Sequence, residues 1–294
     1  MKLMVQPDAG IAPIVTAIKQ AKKSIDILIF RLDRFEIARA LAAAVARGVR
    51  VRALTAHTNR GGTKSLRKLE LSLLEAGVTV SRTADDLVRY HGKMMIVDNK
   101  FLHVYGFNFT GLDIAKSRSF GIISKNRRIV GEALRLFEAD CTRQPYTCGD
   151  DMFVVSPQNA RARLTRYLSK ARKQLLIYDP KIADPAMITI LQERAKAGVD
   201  VRVMGKLGTR GAGLKVQKYP GRRLHVRAIV RDGARAFVGS QSLRKAELDA
   251  RREVGVIVRD AKIVKRIAAI FEDDWALTDL GKQEGVGAKE ALSA

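Results

Sequence analysis

Cysteine, aromatic side chains and acidic charge are all scarce in this chain, and no long apolar run is present. Cys141 and Cys148 are the only cysteines, too few for a disulfide framework or a four-ligand zinc site. Reduced structural thiols are expected, and a local disulfide stays open only for an exported protein. Cys, His and carboxylates do not cluster at metal-ligand spacing, so no metal and no cofactor are expected. Aromatic residues make up 6% of the chain, so no stacking platform for nucleic-acid bases is evident. No stretch approaches the ~20 apolar residues of a membrane span, and Met1 to Gly10 lacks the basic start and apolar run of a secretory signal. The expected compartment is the cytoplasm, with peripheral attachment to an anionic membrane open.

Positive charge is what the chain has in excess. Lys and Arg number 54 against 30 Asp and Glu, a net charge of +24, which attracts polyanions or anionic surfaces. Charge alone does not separate nucleic acid from acidic lipid. With 294 residues, 47% of them hydrophobic, the chain can bury one large core or two moderate ones.

The sequence repeats itself. Ile14 to Val51 lies on Leu164 to Val201 at a constant offset of 150 without a gap, so RGVRVRAL falls on AGVDVRVM. From His91 onward the offset is 134, and it holds through FEADC (137 to 141) on FEDDW (271 to 275). Two copies of one unit follow, with 16 extra residues in the first. Each copy predicts an amphipathic helix (11 to 23; 160 to 173), a buried strand (25 to 30; 175 to 178), a second helix (37 to 47; 186 to 197) and a second strand (49 to 54; 199 to 204). Strand, crossover helix, strand is the unit of a mixed or parallel α/β sheet. In the extra segment, 64 to 76 predicts a further helix. The matching 205 to 223 is Gly-rich and basic without an acid, and predicts a mobile basic loop that contacts phosphate or is merely solvated.

After the second strand each copy reaches a histidine followed by an alternating apolar segment: His91, Gly92, Lys93, MMIV, Asp98 in the first; His225, Val226, Arg227, AIVR, Asp232 in the second. Alternation sets His91 with Lys93, and His225 with Arg227, on one face of a strand, where both can address one phosphate. Six residues after each aspartate come YGFN (105 to 108) and GSQS (239 to 242).

These paired motifs resemble the phospholipase D superfamily signature, His-x-Lys, four residues, Asp, six residues, Gly-Gly or Gly-Ser, one residue, Asn. His91, Lys93, Asp98, Gly106 and Asn108 match it in the first copy, with Tyr105 in place of a Gly; His225, Asp232, Gly239 and Ser240 match in the second, with Arg227 for Lys and Ser242 for Asn. The similarity runs from about Ile11 to Trp275. A further matching position lies 28 residues after each histidine: Glu253 resembles the family's carboxylate that holds a histidine's other ring nitrogen, whereas the first copy has Ser119. On the sequence, Glu253 is assigned to His225, leaving His91 without a carboxylate.

The resemblance implies an α/β fold of two similar lobes related by a pseudo-twofold, each a mixed sheet flanked by helices, with one shared central active site. It implies His91, Lys93, Asp98, His225, Arg227, Asp232 and Glu253 as the catalytic set, supported at the phosphate by Asn108, Gly106, Ser240 and Ser242. Asp98 and Asp232 would orient neighbours rather than touch phosphate, because a carboxylate repels it. One neutral imidazole attacks phosphorus and a protonated one supplies the leaving group's proton. His91 is taken as nucleophile because Glu253 would hold His225 protonated; the reverse stays open, since a carboxylate also stabilises a phosphorylated imidazolium. His103 reads as a packed or surface histidine, and His57, in a loop before TNRGG, receives no role.

The expected division is 1–148 and 149–280, with 281–294 a loose tail. The expected function is cleavage or transfer at a phospholipid phosphodiester through a phosphohistidine. The alternatives are a metal-independent endonuclease, and a noncatalytic binder of anionic membrane or nucleic acid with a degenerate second motif. The partner in each case is an anionic phosphodiester; oligomeric state is open.

Overall fold

The computed structural model describes residues 1–57, 64–208, 213–221 and 223–292. The first copy runs β1 (Lys2–Gln6), α1 (Ala12–Gln20), β2 (Ser24–Ile29), α2 (Phe35–Ala46), β3 (Arg50–Thr55), α3 (Lys64–Glu75) and β4 (Thr79–Arg82). It continues through β5 (Arg89–Tyr90), β6 (Met94–Val97), β7 (Phe101–Tyr105), α4 (Gly111–Ala115), β8 (Ser117–Ser124) and α5 (Arg127–Thr142). The second copy runs β9 (Phe153–Ser156), α6 (Ala160–Ser169), β10 (Gln174–Ile182), α7 (Pro185–Lys196), β11 (Asp200–Leu207), β12 (Lys215–Gln217) and β13 (Arg223–Leu224). Then follow β14 (Ala228–Arg231), β15 (Arg235–Gly239), α8 (Lys245–Asp249), β16 (Arg251–Val258), α9 (Ala261–Ala276) and α10 (Asp279–Leu292).

Local chemistry sets these boundaries. Gly48 and Gly198, at φ +82° and +83°, leave helices α2 and α7 in the left-handed conformation that glycine adopts without a Cβ clash. Asn126 and Asp260 accept hydrogen bonds from the first amides of α5 and α9, donors that no helical carbonyl can reach. Asp184, ahead of Pro185, does the same for α7.

Each copy builds a mixed sheet, β1-β8-β7-β6-β2-β3-β4 in the first and β12-β11-β10-β14-β15-β16 in the second, with β9 pairing β16. The crossover pairs β2–β3 and β10–β11 are parallel, and the motif strands β6 and β14 add antiparallel to β2 and β10. Two short exchanges tie the sheets together. Strand β5 of the first copy pairs with β16 of the second, and β13 of the second pairs with β8 of the first.

The core has three parts. Helices α1 and α2 cover the outer face of the first sheet, and α6 and α7 that of the second. Between the sheets lies a common core in which Phe120 and Met94 of one copy, Tyr178 and Val254 of the other, and α5 and α9 residues such as Phe137 and Phe271 are buried together. Burial of this apolar area, at about 25 cal/mol per Å², holds the two copies as one unit.

Two expectations are corrected. Of the tail 281–294, residues to Leu292 continue helix α10, and Trp275 Nε1 donates to Glu284 Oε2 at 3.1 Å while Lys215 Nζ donates to its Oε1 at 2.9 Å; 293 and 294 lie outside the described residues. The segment 205–223 is not a plain loop, because Lys215–Gln217 adds to β11 as a parallel strand in the place β4 occupies in the first copy. Arg210 and Arg222 of that segment lie outside the described residues.

Candidate active site

The interlobe strand exchanges decide where the histidines sit. His91 follows β5, and its amide donates to the Arg252 carbonyl of the second copy at 2.7 Å; His225 follows β13, and its amide donates to the Arg118 carbonyl of the first at 3.1 Å. Each motif histidine is thus fastened to the opposite sheet. At the junction Gly106 is closely wrapped, since an added Cβ would lie 3.0 Å from the Phe120 carbonyl oxygen and 3.2 Å from that of Gly239. Backbone from both copies meets there, and a side chain would force it apart.

The sequence-based assignment of Glu253 to His225 is wrong. Glu253 is fully buried, and both its oxygens lie against His91 Nδ1, at 3.0 and 2.9 Å. Duplication shows which positions correspond but not which copy each faces. Because β16 crosses to β5, the carboxylate of the second copy serves the histidine of the first. With Nδ1–H donating to the carboxylate, Nε2 keeps its lone pair and accepts from Lys93 Nζ at 2.8 Å. The ring stands edge-on to Phe30, with centroids 4.5 Å apart.

Burial pushes His91 well below its ordinary pKa, and the charges of Lys93, Arg227, Arg251 and Arg89 push it further. Lys93 is lowered to about 7, again chiefly by burial. Glu253 is raised by burial against the pull of Lys93. The hydrogen-bonded geometry is that of a neutral imidazole.

His225 is held differently. Its Nδ1 lies 3.5 Å from Asp113 Oδ2, beyond a good hydrogen bond, and has no closer partner among the described residues. Burial and the charges of Arg227, Arg223, Lys93 and His91 keep it well below its usual pKa. Lys93 and Arg227 act on both rings, which places the two histidines in one electrostatic neighbourhood.

Sequence reasoning did not find Asp113. Its Oδ2 accepts from the Asn108 amide at 2.9 Å and from Asn108 Nδ2 at 2.6 Å, and its Oδ1 pairs with Arg223 of the second copy. A signal existed, because Glu247 occupies the equivalent position; but Glu247 pairs with Arg251 and Arg244 instead. Ser119, which replaces the carboxylate, is buried with an unpartnered hydroxyl.

The remaining candidates divide. Arg227 is half-buried, donating from Nε to Ser242 Oγ at 3.2 Å and from Nη1 to the His225 carbonyl at 3.0 Å. Asn108 Oδ1 is buried without a partner among the described residues. Ser240 Oγ accepts from the Val254 amide at 3.2 Å, bracing the strand that carries Glu253.

Asp98 and Asp232, carried into the catalytic set by the motif, hold backbone instead. Asp98 accepts from the amides of Lys22, Lys23 and Ser24 at 3.1, 2.7 and 3.0 Å, and Asp232 from those of Arg172, Lys173 and Gln174 at 3.0, 2.7 and 3.1 Å. Both stand in turns at φ +54°, at the ends of the motif strands away from the histidines. His103 is buried in the first sheet with Nδ1 unpartnered. His57, whose amide donates to Thr83 Oγ1, adjoins residues outside the described set.

The family model described as "Cardiolipin synthase, PLD-like domain" matches residues 14–141 and 164–275. Curated relatives include the cardiolipin synthase of Staphylococcus aureus strain Mu50 / ATCC 700699, 25% identical over 234 residues that cover 65% of this chain and 47% of the relative. The chain spans about half the length of the curated relatives it matches. Among solved structures, polyphosphate kinase from Porphyromonas gingivalis superposes with a TM-score of 0.76 at 19% identity, over 92% of this chain and 49% of the other. Phosphatidylserine synthase from Haemophilus influenzae Rd KW20 superposes with a TM-score of 0.68 at 10% identity, over 91% of this chain and 84% of the other. At these identities the structural likeness is one of fold.

Proposed function

The chain belongs to the phospholipase D superfamily, and we propose that it cleaves or transfers a phospholipid phosphodiester through a phosphohistidine formed on His91. The observation that carries this reading is the two-sided hold on His91: Nδ1 against Glu253 at 2.9 Å and Nε2 facing Lys93 at 2.8 Å. A fixed tautomer with an unprotonated Nε2, whose lone pair Lys93 gives up as its ammonium turns to a phosphate oxygen, is what in-line attack on phosphorus requires. As the Nε2–P bond forms, the P–O bond to one alcohol breaks, and His225 gives that oxygen its proton. Lys93 and Arg227 neutralise the nonbridging oxygens, and Glu253 offsets the imidazolium charge of the intermediate. Water or a second alcohol, deprotonated by His225, then attacks phosphorus and releases His91.

Burial and neighbouring cations hold His225 well below its ordinary pKa, so it gains its proton when substrate arrives. The phosphodiester's negative charge opposes the fields of Lys93 and Arg227, raising both histidines and Lys93. The cardiolipin synthase relatives favour a lipid substrate, met by a peripheral protein at an anionic surface. The +24 charge favours a second reading, hydrolysis of nucleic acid at the same site. In excess chelator, phosphatidylglycerol vesicles, single-stranded DNA and a chromogenic phosphodiester separate the two. Headgroup release lost in His91→Ala by roughly 10⁴-fold supports the proposal. Nicked DNA with intact lipid supports the second reading, and no turnover of any substrate rejects both.

A further inference from the structure

The second copy carries a cleft of about 290 Å³. Arg163, Arg166, Lys170, Arg231, Arg235 and Arg259 line it, with Asp151 as its one lining carboxylate. It lies beyond the end of β14, six residues from His225, hence roughly 20 Å along the strand from the histidine site.

The cations are arranged for a ligand rather than for each other. Arg163 pairs with Asp151. Arg231 is fixed: its guanidinium lies 4.7 Å from the Tyr167 ring centroid, and Nη1 donates to the Tyr167 carbonyl at 3.0 Å. Its nearest carboxylate, Asp232 at 3.9 Å, already accepts from three backbone amides. Arg235 is depressed by burial and by Arg259 and Arg231, which are like charges. A larger cleft of about 480 Å³ in the first copy shows the contrasting case, where Arg52 donates to Asp26 and Glu138, each at 2.7 Å, and the charge is cancelled internally.

The duplication shows that this charge is not imposed by the fold. Positions equivalent to Arg163, Arg166 and Lys170 hold Pro13, Thr16 and Gln20 in the first copy, and those equivalent to Arg231 and Arg235 hold Val97 and Phe101; of the six, Arg259 alone keeps its charge there, as Lys125. Like charges crowded at one end of a sheet repel one another and are relieved by a bound anion. Guanidinium groups supply the paired donors that phosphate oxygens accept. The Tyr167 ring is buried under Arg231, so no face remains for a base to stack on.

We propose that this cleft is a second anion site, separate from the histidines, which takes a small, multiply charged phosphate group. That group is the same whether it comes from a soluble pyrophosphate-type compound or from the headgroup of a phosphomonoester lipid.

Calorimetric titration of the full chain with inorganic pyrophosphate tests this, using Arg235→Gln/Arg259→Gln and, as a control of equal charge change, Arg127→Gln/Arg128→Gln on the exposed start of α5. Two classes of site are expected in the unsubstituted protein and in the control, and only one in the cleft variant. Turnover of a chromogenic phosphodiester by the cleft variant should be unchanged, which separates this test from that of the histidine site. Flotation with phosphatidylcholine vesicles, with and without phosphatidic acid, identifies the source. Weaker binding of the cleft variant to phosphatidic acid indicates the lipid headgroup, whereas unchanged flotation with the pyrophosphate class lost indicates a soluble ligand. A single class of site throughout, an equal loss in the control, or loss of turnover in the cleft variant would overturn the proposal.

Discussion

The two copies share a backbone plan but hold their histidines in different ways. His91 is gripped at both nitrogens, by Glu253 of the other copy and by Lys93 of its own, whereas His225 stands 3.5 Å from Asp113 with Arg227 turned toward Ser242 and the main chain. A fixed ring suits a group that makes and breaks a bond to phosphorus; a looser ring suits one that only moves a proton. Duplication therefore kept the scaffold and let the two half-sites diverge. The scaffold role is visible in Asp98 and Asp232, whose three hydrogen-bond lengths match within 0.1 Å position by position.

The asymmetry can be broken most sharply at the two carboxylates. Glu253→Gln keeps the shape but loses the charge that fixes His91 and offsets its imidazolium, so kcat should fall by roughly 10²-fold, with Asp113→Asn costing less than about tenfold. Equal losses would erase the distinction between the copies.

His103 offers the next largest effect, because the second copy has Phe237 in its place. Burial lowers its pKa to about 4, against an ordinary value near 6.5. The unfolded chain therefore takes up a proton between those values and the folded protein does not. Stability is full above about pH 6.5 and declines as pH falls toward 4, by on the order of 3 kcal/mol from this residue. His91 and His225 add to the decline in the same direction. Urea denaturation of His103→Phe should show a shallower loss over that range; an unchanged pH dependence refutes the assignment.

The smallest effect sharpens the comparison from the other side. Asp98→Asn and Asp232→Asn should each lower stability by about 1–3 kcal/mol, by similar amounts, with turnover at the folded state's level. A selective loss of turnover in either would restore that aspartate to the chemistry.

Much of this was legible in the sequence, and what was not has a physical cause. The buried strands and crossover helices are written in apolar runs and 3.6-residue periodicity, and β2 and β10 lie where those patterns place them. The constant offset exposed the duplication and paired His91 with His225. What failed was anything set by contacts between copies. Strands β5 and β13 are two residues long, too short to carry a pattern, yet they decide that Glu253 reaches His91. Asp113 stands in the first turn of the five-residue helix α4, too short to carry a pattern, and helix α10 contains three glycines, Gly281, Gly285 and Gly287, that weaken its local signal.

Trapping the intermediate tests the central claim most directly. The protein would be mixed with a phosphodiester substrate, quenched in alkali to preserve the acid-labile N–P bond, and digested for mass spectrometry. Phosphorus on the peptide containing His91, absent in His91→Ala and accumulating in His225→Ala when the leaving group needs no proton, is the predicted result. An adduct on His225, or turnover without an adduct on either histidine, would contradict it.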